Sequence, residues 1–378
     1  MSDHHVIVAL RGVDADAAHA LTHWATTHCP AHTAAEFHRV ISAAVAALTA
    51  VDANTGHADY EDTVEDLIRV WAAVQVVGDT NVWLQNNHIS AVNLSTTEVP
   101  SSSELLAKGT LHRLGGIPTQ TNGLLEPDEV NNNYHLSPVF RTAAHREIDV
   151  VEIPVQQAAD PAEIATIMAD RNISSALLKI GHGKKYPLFE VTLDADGSLC
   201  PDPDSPYDLN EWSWAASSHG AVDLIIQDKR QLVHEYRCFT SHGTVVAAAG
   251  CIEEFTPVDA APGCFSPVTE TVRGAGDARA RDRVTALHHF AEATAAALYT
   301  EGVLDDYLCL DVAWDLEAAC PVAVEVNPVA PAGFYASDII TTGYLVEFLA
   351  ARINDTDTAL RGIDSLFART PTPMLSTD

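Results

Sequence analysis

Two carboxylates and a carboxamide stand at strand spacing late in this chain: Asp311 in Leu310-Asp311-Val312-Ala313, and Glu325 and Asn327 in Val324-Glu325-Val326-Asn327-Pro328. Side chains two apart on a strand share a face, so Glu325 and Asn327 point the same way and Val324 and Val326 the other. A turn centred near residue 318 sets Asp311 opposite or diagonal to Glu325. Three hard oxygen donors on one patch suit Mg²⁺ when phosphate oxygens complete its shell. Spacing alone leaves a second reading open, because an antiparallel hairpin with one solvated face also carries Asp, Glu and Asn.

The opposite charge lies upstream. Lysine is scarce, occurring only at Lys108, Lys179, Lys184, Lys185 and Lys229, and three of the five fall between residues 179 and 185. Lys179 closes an apolar run, and Gly181-His182-Gly183-Lys184-Lys185 follows as a loop. Glycines let backbone amides approach a phosphate, and lysines bring point charges to it. The spacing is neither a Walker A loop nor a Rossmann GxGxxG turn. Arg237 lies two residues after Glu235, on the same strand face. A planar guanidinium there suits phosphoryl oxygens taken in pairs, and a structural Arg237–Glu235 ion pair is the alternative.

Elements must hold these groups in place. The spacing predicts strands at Asp149–Val155, Ser175–Ile180 and Leu188–Leu193, and a helix over Asp160–Arg171 opening on Asp-Pro. It predicts two strands between Asp223 and Ala249, a helix over Arg281–Tyr299, and a hairpin of Leu308–Trp314 with Val322–Val326. Before residue 145 the periodicity is mostly helical. Phe37, Ile41, Val45 and Leu48 line one helix and Tyr60, Val64, Leu67, Ile68 and Trp71 another, with short strands at His5–Leu10 and Asn81–Leu84. Glu98–Asn133, rich in Ser, Thr, Gly, Asn and Pro, reads as loops or linker. The expected organisation is a helix-rich N-terminal α/β region over residues 1–148, an α+β domain over 149–352 and a C-terminal tail over 353–378.

Composition narrows the partners. The 378 residues hold 52 Asp and Glu against 21 Lys and Arg, a formal net charge of −31, which argues against nucleic acid or an anionic membrane as the main partner. At 47% hydrophobic the chain has matter for large cores. Seven cysteines without a CxxC pair predict reduced thiols, and the N-terminus lacks the pattern of a secretory signal, so a cytoplasmic location is expected. His19, His23, His28, His32 and His38 crowd around Cys29, but their spacing matches no standard zinc motif and is expected to be a solvated histidine-rich face.

Taken with their order, these strings resemble the ATP-grasp superfamily, in particular the phage and bacterial clade named for one arginine and two lysines. They are Ala176-Leu177-Leu178-Lys179 with Lys185-Tyr186; His234-Glu235-Tyr236-Arg237-Cys238-Phe239 with Gly243-Thr244-Val245-Val246; and Leu310-Asp311-Val312 with Val324–Pro328 and Gly333-Phe334-Tyr335-Ala336-Ser337-Asp338. The match spans about residues 149–350. The resemblance implies two α+β subdomains clamping ATP. It places Lys179 and Lys185 on the phosphates with Lys184 as alternate, and Asp311, Glu325 and Asn327 on Mg²⁺. Arg237 and Lys185 become the catalytic pair, with Arg237 facing the γ-phosphate or acyl-phosphate. Ile226, Gln227 and Asp228, in the linker Ile225–Lys229, would meet adenine and ribose, and Glu235 joins the nucleotide-binding set.

The implied activity is an ATP- and Mg²⁺-dependent carboxylate–amine ligase acting through an acyl-phosphate, with small-molecule or peptide carboxylates and amines as substrates. A second copy of the chain is an open partner. The alternatives are a non-catalytic ATP-binding module on the same scaffold, and a zinc hydrolase built on the N-terminal histidines. Val329-Ala330-Pro331-Ala332 departs from the aromatic, glycine-rich stretch expected before the Gly-Phe-Tyr string, which leaves the acceptor site undefined. The first 110 or so residues exceed the resemblance and are expected to select substrate.

Overall fold

The computed structural model describes residues 5–10, 12–51, 60–85, 92–95, 111–114, 134–135, 137–145, 148–153, 160–180, 188–203, 208–217, 222–250, 280–302, 306–327, 329, 332–334 and 343–359. The fold is α+β, and the chain divides into two compact units, Met1–Glu126 with Gly343–Asp378, and Pro127–Thr342.

In the first unit, β1 (His5–Ala9) is followed by helices α1 (Ala15–His28), α2 (Ala31–Val51) and α3 (Tyr60–Val77), then by β2 (Val82–Gln85), β3 (Val92–Asn93) and β4 (Leu111–Leu114). The strands form one sheet in the order β3-β2-β1-β4, with β1 parallel to both β2 and β4. Val6, Ile7 and Val8 are all buried, as a central parallel strand covered on both faces requires. Asp14 caps α1 by accepting from the Ala17 amide at 2.7 Å. Phe37, Ile41, Leu48, Val64, Leu67, Ile68 and Trp71 are buried as their spacing predicts, whereas Val45 is partly exposed and Tyr60, at the helix start, is 36% exposed. The strand β4 lies inside the stretch read from sequence as loops. Its four residues, Leu-His-Arg-Leu, show no strand period by themselves and are held extended by pairing with β1.

In the second unit, α4 (Pro138–Ala144), β5 (Ile148–Ile153), α5 (Pro161–Asp170), β6 (Ser175–Ile180), β7 (Phe189–Leu193), β8 (Leu199–Pro201), α6 (Leu209–Ser217) and β9 (Val222–Asp228) come first. A second run of strands, β10 (Leu232–Ser241) and β11 (Thr244–Gly250), precedes α7 (Ala280–Glu301), β12 (Tyr307–Asp315) and β13 (Cys320–Asn327). The strands form two antiparallel sheets, in the orders β5-β9-β6-β7-β8 and β11-β10-β12-β13.

Each sheet has its own core. Ile164 and Met168 of α5 and Trp212 of α6 cover Leu178, Phe189, Val191, Leu224 and Ile226 of the five-stranded sheet. Phe140 of α4 and Val284, Leu287 and Leu298 of α7 cover Tyr236, Cys238, Leu310, Val312 and Val326 of the four-stranded sheet. Ile225, between Leu224 and Ile226, faces the other way and belongs to the second core, so alternation along β9 joins the two sheets. Asp160 caps α5 by accepting from the Ala162 amide at 3.0 Å, with Pro161 at the first helical turn. The last described helix, α8 (Tyr344–Ala359), belongs to the first unit and packs on α3.

Candidate functional site

One rung of the four-stranded sheet carries charge. Arg237 on β10 pairs in register with Asp311 on β12, which pairs with Glu325 on β13. Leu310 and Val312 turn toward the α7 core, so Asp311 between them faces the opposite side of the sheet. Directly opposed residues share a face, and the three side chains therefore meet.

A β-bulge sets this register. Toward the turn the pairs run Asp315 with Cys320, Ala313 with Val322 and Val312 with Ala323; past the irregularity they run Asp311 with Glu325, Leu310 with Val326 and Cys309 with Asn327. Continued without a shift, the turn's register would oppose Asp311 to Val324 and send Glu325 to the other face, because a slip of one residue inverts every side chain. The extra residue on β13 brings Glu325 round while leaving Ala323 and Val326 in the core. A second irregularity, between Val233 and Tyr236 of β10, lies before Arg237 on the neighbouring strand. There His234 has φ +55°.

The polar groups interlock. Arg237 donates from Nε to Asp311 Oδ1 at 2.8 Å and from Nη2 to Oδ2 at 2.7 Å, and from Nη1 to the Gly333 carbonyl at 3.3 Å. Asn327 Nδ2 donates to Asp311 Oδ2 at 2.7 Å and to Glu325 Oε1 at 2.9 Å. The Arg237 and Asp311 side chains are 8% and 0% exposed. From the five-stranded sheet, Lys179 brings Nζ to 3.8 Å from Glu325 Oε2, with both side chains less than a third exposed. Lys179 alternates with the buried Ala176 and Leu178 and opposes Ile225, so it leaves β6 on the side where Ile225 meets the other core.

Two carboxylates, a carboxamide, a lysine and an arginine predicted from sequence are thus brought together. With Lys179, Arg237, Asp311 and Glu325 in their usual ionic states the cluster is formally neutral. Its oxygen donors fit Mg²⁺, and a divalent ion would leave it two positive charges, suited to a polyphosphate.

The remaining predicted residues fall elsewhere. Lys184 and Lys185 lie outside the described residues. Ile226 and Gln227 are buried near the end of β9, paired with both β5 and β6. Asp228, at the end of that strand, holds Arg230 Nε at 2.9 Å from its Oδ2. Glu235 is half-buried within the irregularity in β10. Among the described residues no three His, Cys, Asp or Glu side chains gather to hold a metal, and the ring of His28 stacks on Trp24.

Several supporting residues escaped the sequence reading. Gly333 supplies a backbone carbonyl to Arg237, although its Gly-Phe-Tyr string had marked the segment. Arg283 of α7 lies over Trp314 at 5.4 Å and bonds the Nδ1 of His234 at 3.1 Å, bracing the irregular part of β10. A single Arg in an amphipathic helix gives no signal of this. Lys229 and Arg230, which join the two sheets, are fastened in opposite directions. Lys229 Nζ lies 2.6 Å from Glu190 of β7 and 2.8 Å from Asp202 just after β8, and Arg230 Nη1 lies 3.0 Å from Glu317 in the β12–β13 turn.

No family matches the sequence, and no curated protein matches it. Solved structures similar to it include Cdc123 from Schizosaccharomyces pombe, 11% identical over 56% of this chain and 87% of that one, with a TM-score of 0.31. The ATP-grasp ligase PsnB, complexed with a minimal precursor, Mg and ADP, is 15% identical over 59% of each chain, with a TM-score of 0.31. The macrocyclase MdnC from Microcystis aeruginosa, bound to the precursor peptide MdnA, is 12% identical over 61% of this chain and 65% of that one, with a TM-score of 0.33.

Proposed function

We propose that this chain is an ATP-dependent ligase that joins a carboxylate to an amine, with Mg²⁺ as cofactor. The observation that carries the reading is the convergence of Lys179 with the rung Arg237–Asp311–Glu325 and with Asn327. Phosphoryl transfer asks a protein chiefly for positioning and for neutralising charge, and this cluster supplies cations and hard oxygens without an acid–base pair.

Asp311, Glu325 and Asn327 would hold the metal, which when bound neutralises charge on the phosphate oxygens. Lys179 holds a phosphate from the facing sheet, helped by Lys184 and Lys185 of the glycine-containing sequence that follows it. A substrate carboxylate oxygen attacks the γ-phosphorus, the bond to the bridging oxygen breaks and ADP leaves. The amine then attacks the acyl carbon, inorganic phosphate departs with the bonding electron pair, and the amine proton passes to solvent. The substrates are small-molecule or peptide carboxylates and amines, selected in part by the first unit.

The test incubates the purified full chain with ATP, Mg²⁺ and pooled carboxylates and amines, and measures ADP and phosphate. Release that depends on both substrate classes and disappears in Glu325→Gln, with ATP binding retained, supports the reading. Bound ATP without turnover over the whole pool favours the non-catalytic module instead, and absence of ATP binding rejects both.

A further inference from the structure

Arg237 is spent in a way that its place among the phosphate-facing cations does not explain. Its Nε and Nη2 run side by side onto the two oxygens of Asp311, at 2.8 and 2.7 Å, and Nη1 turns to the Gly333 carbonyl at 3.3 Å. Three of its five N–H donors are thereby committed to protein oxygens. The contact is built into the backbone, because strand pairing sets Arg237 opposite Asp311. It is also buried, with the two side chains 8% and 0% exposed. A bidentate fork fixes the plane of a carboxylate as well as its charge, which a point cation cannot do.

We propose that Arg237 is a positioning residue of the metal site and makes no contact with the nucleotide. It fixes the plane of the Asp311 carboxylate, so that Asp311, Glu325 and Asn327 are presented together to a divalent cation. Through Gly333 it also ties β10 to the chain that follows β13. Asn327 complements it from the opposite side, since its Nδ2 bridges Asp311 Oδ2 and Glu325 Oε1 at 2.7 and 2.9 Å. Arg237 orients one carboxylate and Asn327 spaces the two. The proposal rests on the nucleotide–metal reading of this site and changes the role of Arg237 within it.

A phosphate ligand and a positioning residue differ in what their loss weakens. Mn²⁺ affinity is measured by electron paramagnetic resonance on the full chain saturated with ADP. Affinities for ADP and for the non-hydrolysable ATP analogue AMPPNP are measured separately by calorimetry in EDTA. Loss of a group that orients metal ligands characteristically weakens metal binding by about 10- to 100-fold, so Arg237→Lys and Arg237→Gln are expected to lose at least about tenfold in Mn²⁺ affinity while the AMPPNP-to-ADP ratio stays within about twofold of the parent. Collapse of that ratio in either variant, or unchanged Mn²⁺ affinity, overturns the proposal. A parent protein that binds neither nucleotide nor Mn²⁺ overturns the underlying ligase reading instead.

The parent itself provides a measurement that does not depend on the variants folding. With ¹⁵N-labelled arginine, the Arg237 Nε–H resonance should resist solvent exchange before any ligand is added. It should shift when Mg²⁺ is added to the ADP complex and stay in place when AMPPNP replaces ADP. A shift caused by that replacement alone would mean that the guanidinium senses the γ-phosphate, and would refute the proposal.

Discussion

Replacing Asp311 by alanine removes the acceptor of two guanidinium bonds and strands Arg237 where water hardly reaches. At a charge separation of about 4 Å and an effective dielectric constant of about 20, the lost attraction is about 4 kcal/mol. That agrees with the roughly 3–5 kcal/mol lost when one member of a buried ion pair is removed, and exceeds the ~0–1 kcal/mol of an exposed pair. Side-chain exposures of 8% and 0% decide for the larger figure. For a unit of about 200 residues, Pro127–Thr342, this corresponds to a fall in melting temperature of roughly 6–20 °C. The double variant Arg237→Met with Asp311→Leu removes both charges and is expected to recover most of the loss. It should remain about 1–2 kcal/mol below the parent, because the bonds to Gly333 and Asn327 disappear as well. Native-state hydrogen exchange at the β10 and β12 amides reads this unit without interference from the other. The reasoning is refuted if Asp311→Ala costs less than about 1 kcal/mol, or if the double variant is as unstable as the single one.

Three further outcomes follow from the geometry. Lys179→Met removes the 3.8 Å contact with Glu325, which is partly solvated and contributes less than about 1 kcal/mol to stability. The same variant should weaken ATP binding about 10- to 100-fold in calorimetry through loss of a charge-assisted bond. Gly243→Ala and Gly197→Ala place a side chain at φ +76° and +84°, but only at Gly243 would the new Cβ lie 2.8 Å from Tyr299 Cβ and 3.3 Å from the Ala296 backbone. Gly197→Ala should cost about 1–2 kcal/mol, and Gly243→Ala clearly more by thermal melting. Hydrogen bonds donated by Lys229 to Asp202 and then to Glu190 raise the Lys229 pKa above its ordinary 10.5. A raised folded-state pKa makes this stabilisation complete below 10.5 and lost as pH climbs through the folded value, so urea unfolding at about pH 8 and about pH 11 should show a smaller alkaline loss for Lys229→Met than for the parent.

The hairpin was legible because its alternation and its turn both concern neighbours in sequence. They put Asp311 opposite or diagonal to Glu325, and the register is directly opposite. What escaped them was the device behind that register. A period-two pattern through Ala323, Glu325 and Asn327 looks unbroken, yet Ala323 lies in the core and a bulge separates it from Glu325. Arg237 was found as a strand residue, and Glu235 was offered as a structural partner on spacing alone. The carboxylate it grips in a fork is Asp311, 74 positions away and brought in by the pairing of β10 with β12. Strand pairing is a long-range choice that no local period encodes. The strand β4 was missed for the same reason, since pairing with β1 is what extends it. Lys179 was legible as the polar end of an apolar strand, whereas its approach to Glu325 depends on how two sheets pack.

The two lysines among the described residues show why scarcity of a residue type points less directly to a site than the way each one is held. Lys229 lies between two carboxylates at 2.6 and 2.8 Å, and giving it to a phosphate would break two charge-assisted bonds. Lys179 faces one oxygen of Glu325 at 3.8 Å, so a phosphate that approaches the lysine and a cation that approaches the carboxylate meet at the same contact. If Glu325 then engages a cation, the carboxylate that faced Lys179 is compensated from another side, and the lysine gains a phosphate as the metal gains a ligand. Metal and polyphosphate should therefore bind cooperatively, each removing the obstacle to the other. In a chain of net charge −31, this exchange of partners would let a polyanion enter without a standing excess of positive charge. Neutralising Glu325 by Glu325→Gln should abolish the cooperativity, so that ATP affinity no longer responds to Mg²⁺. A variant that kept a full Mg²⁺ response would show that the two ligands do not meet through Glu325.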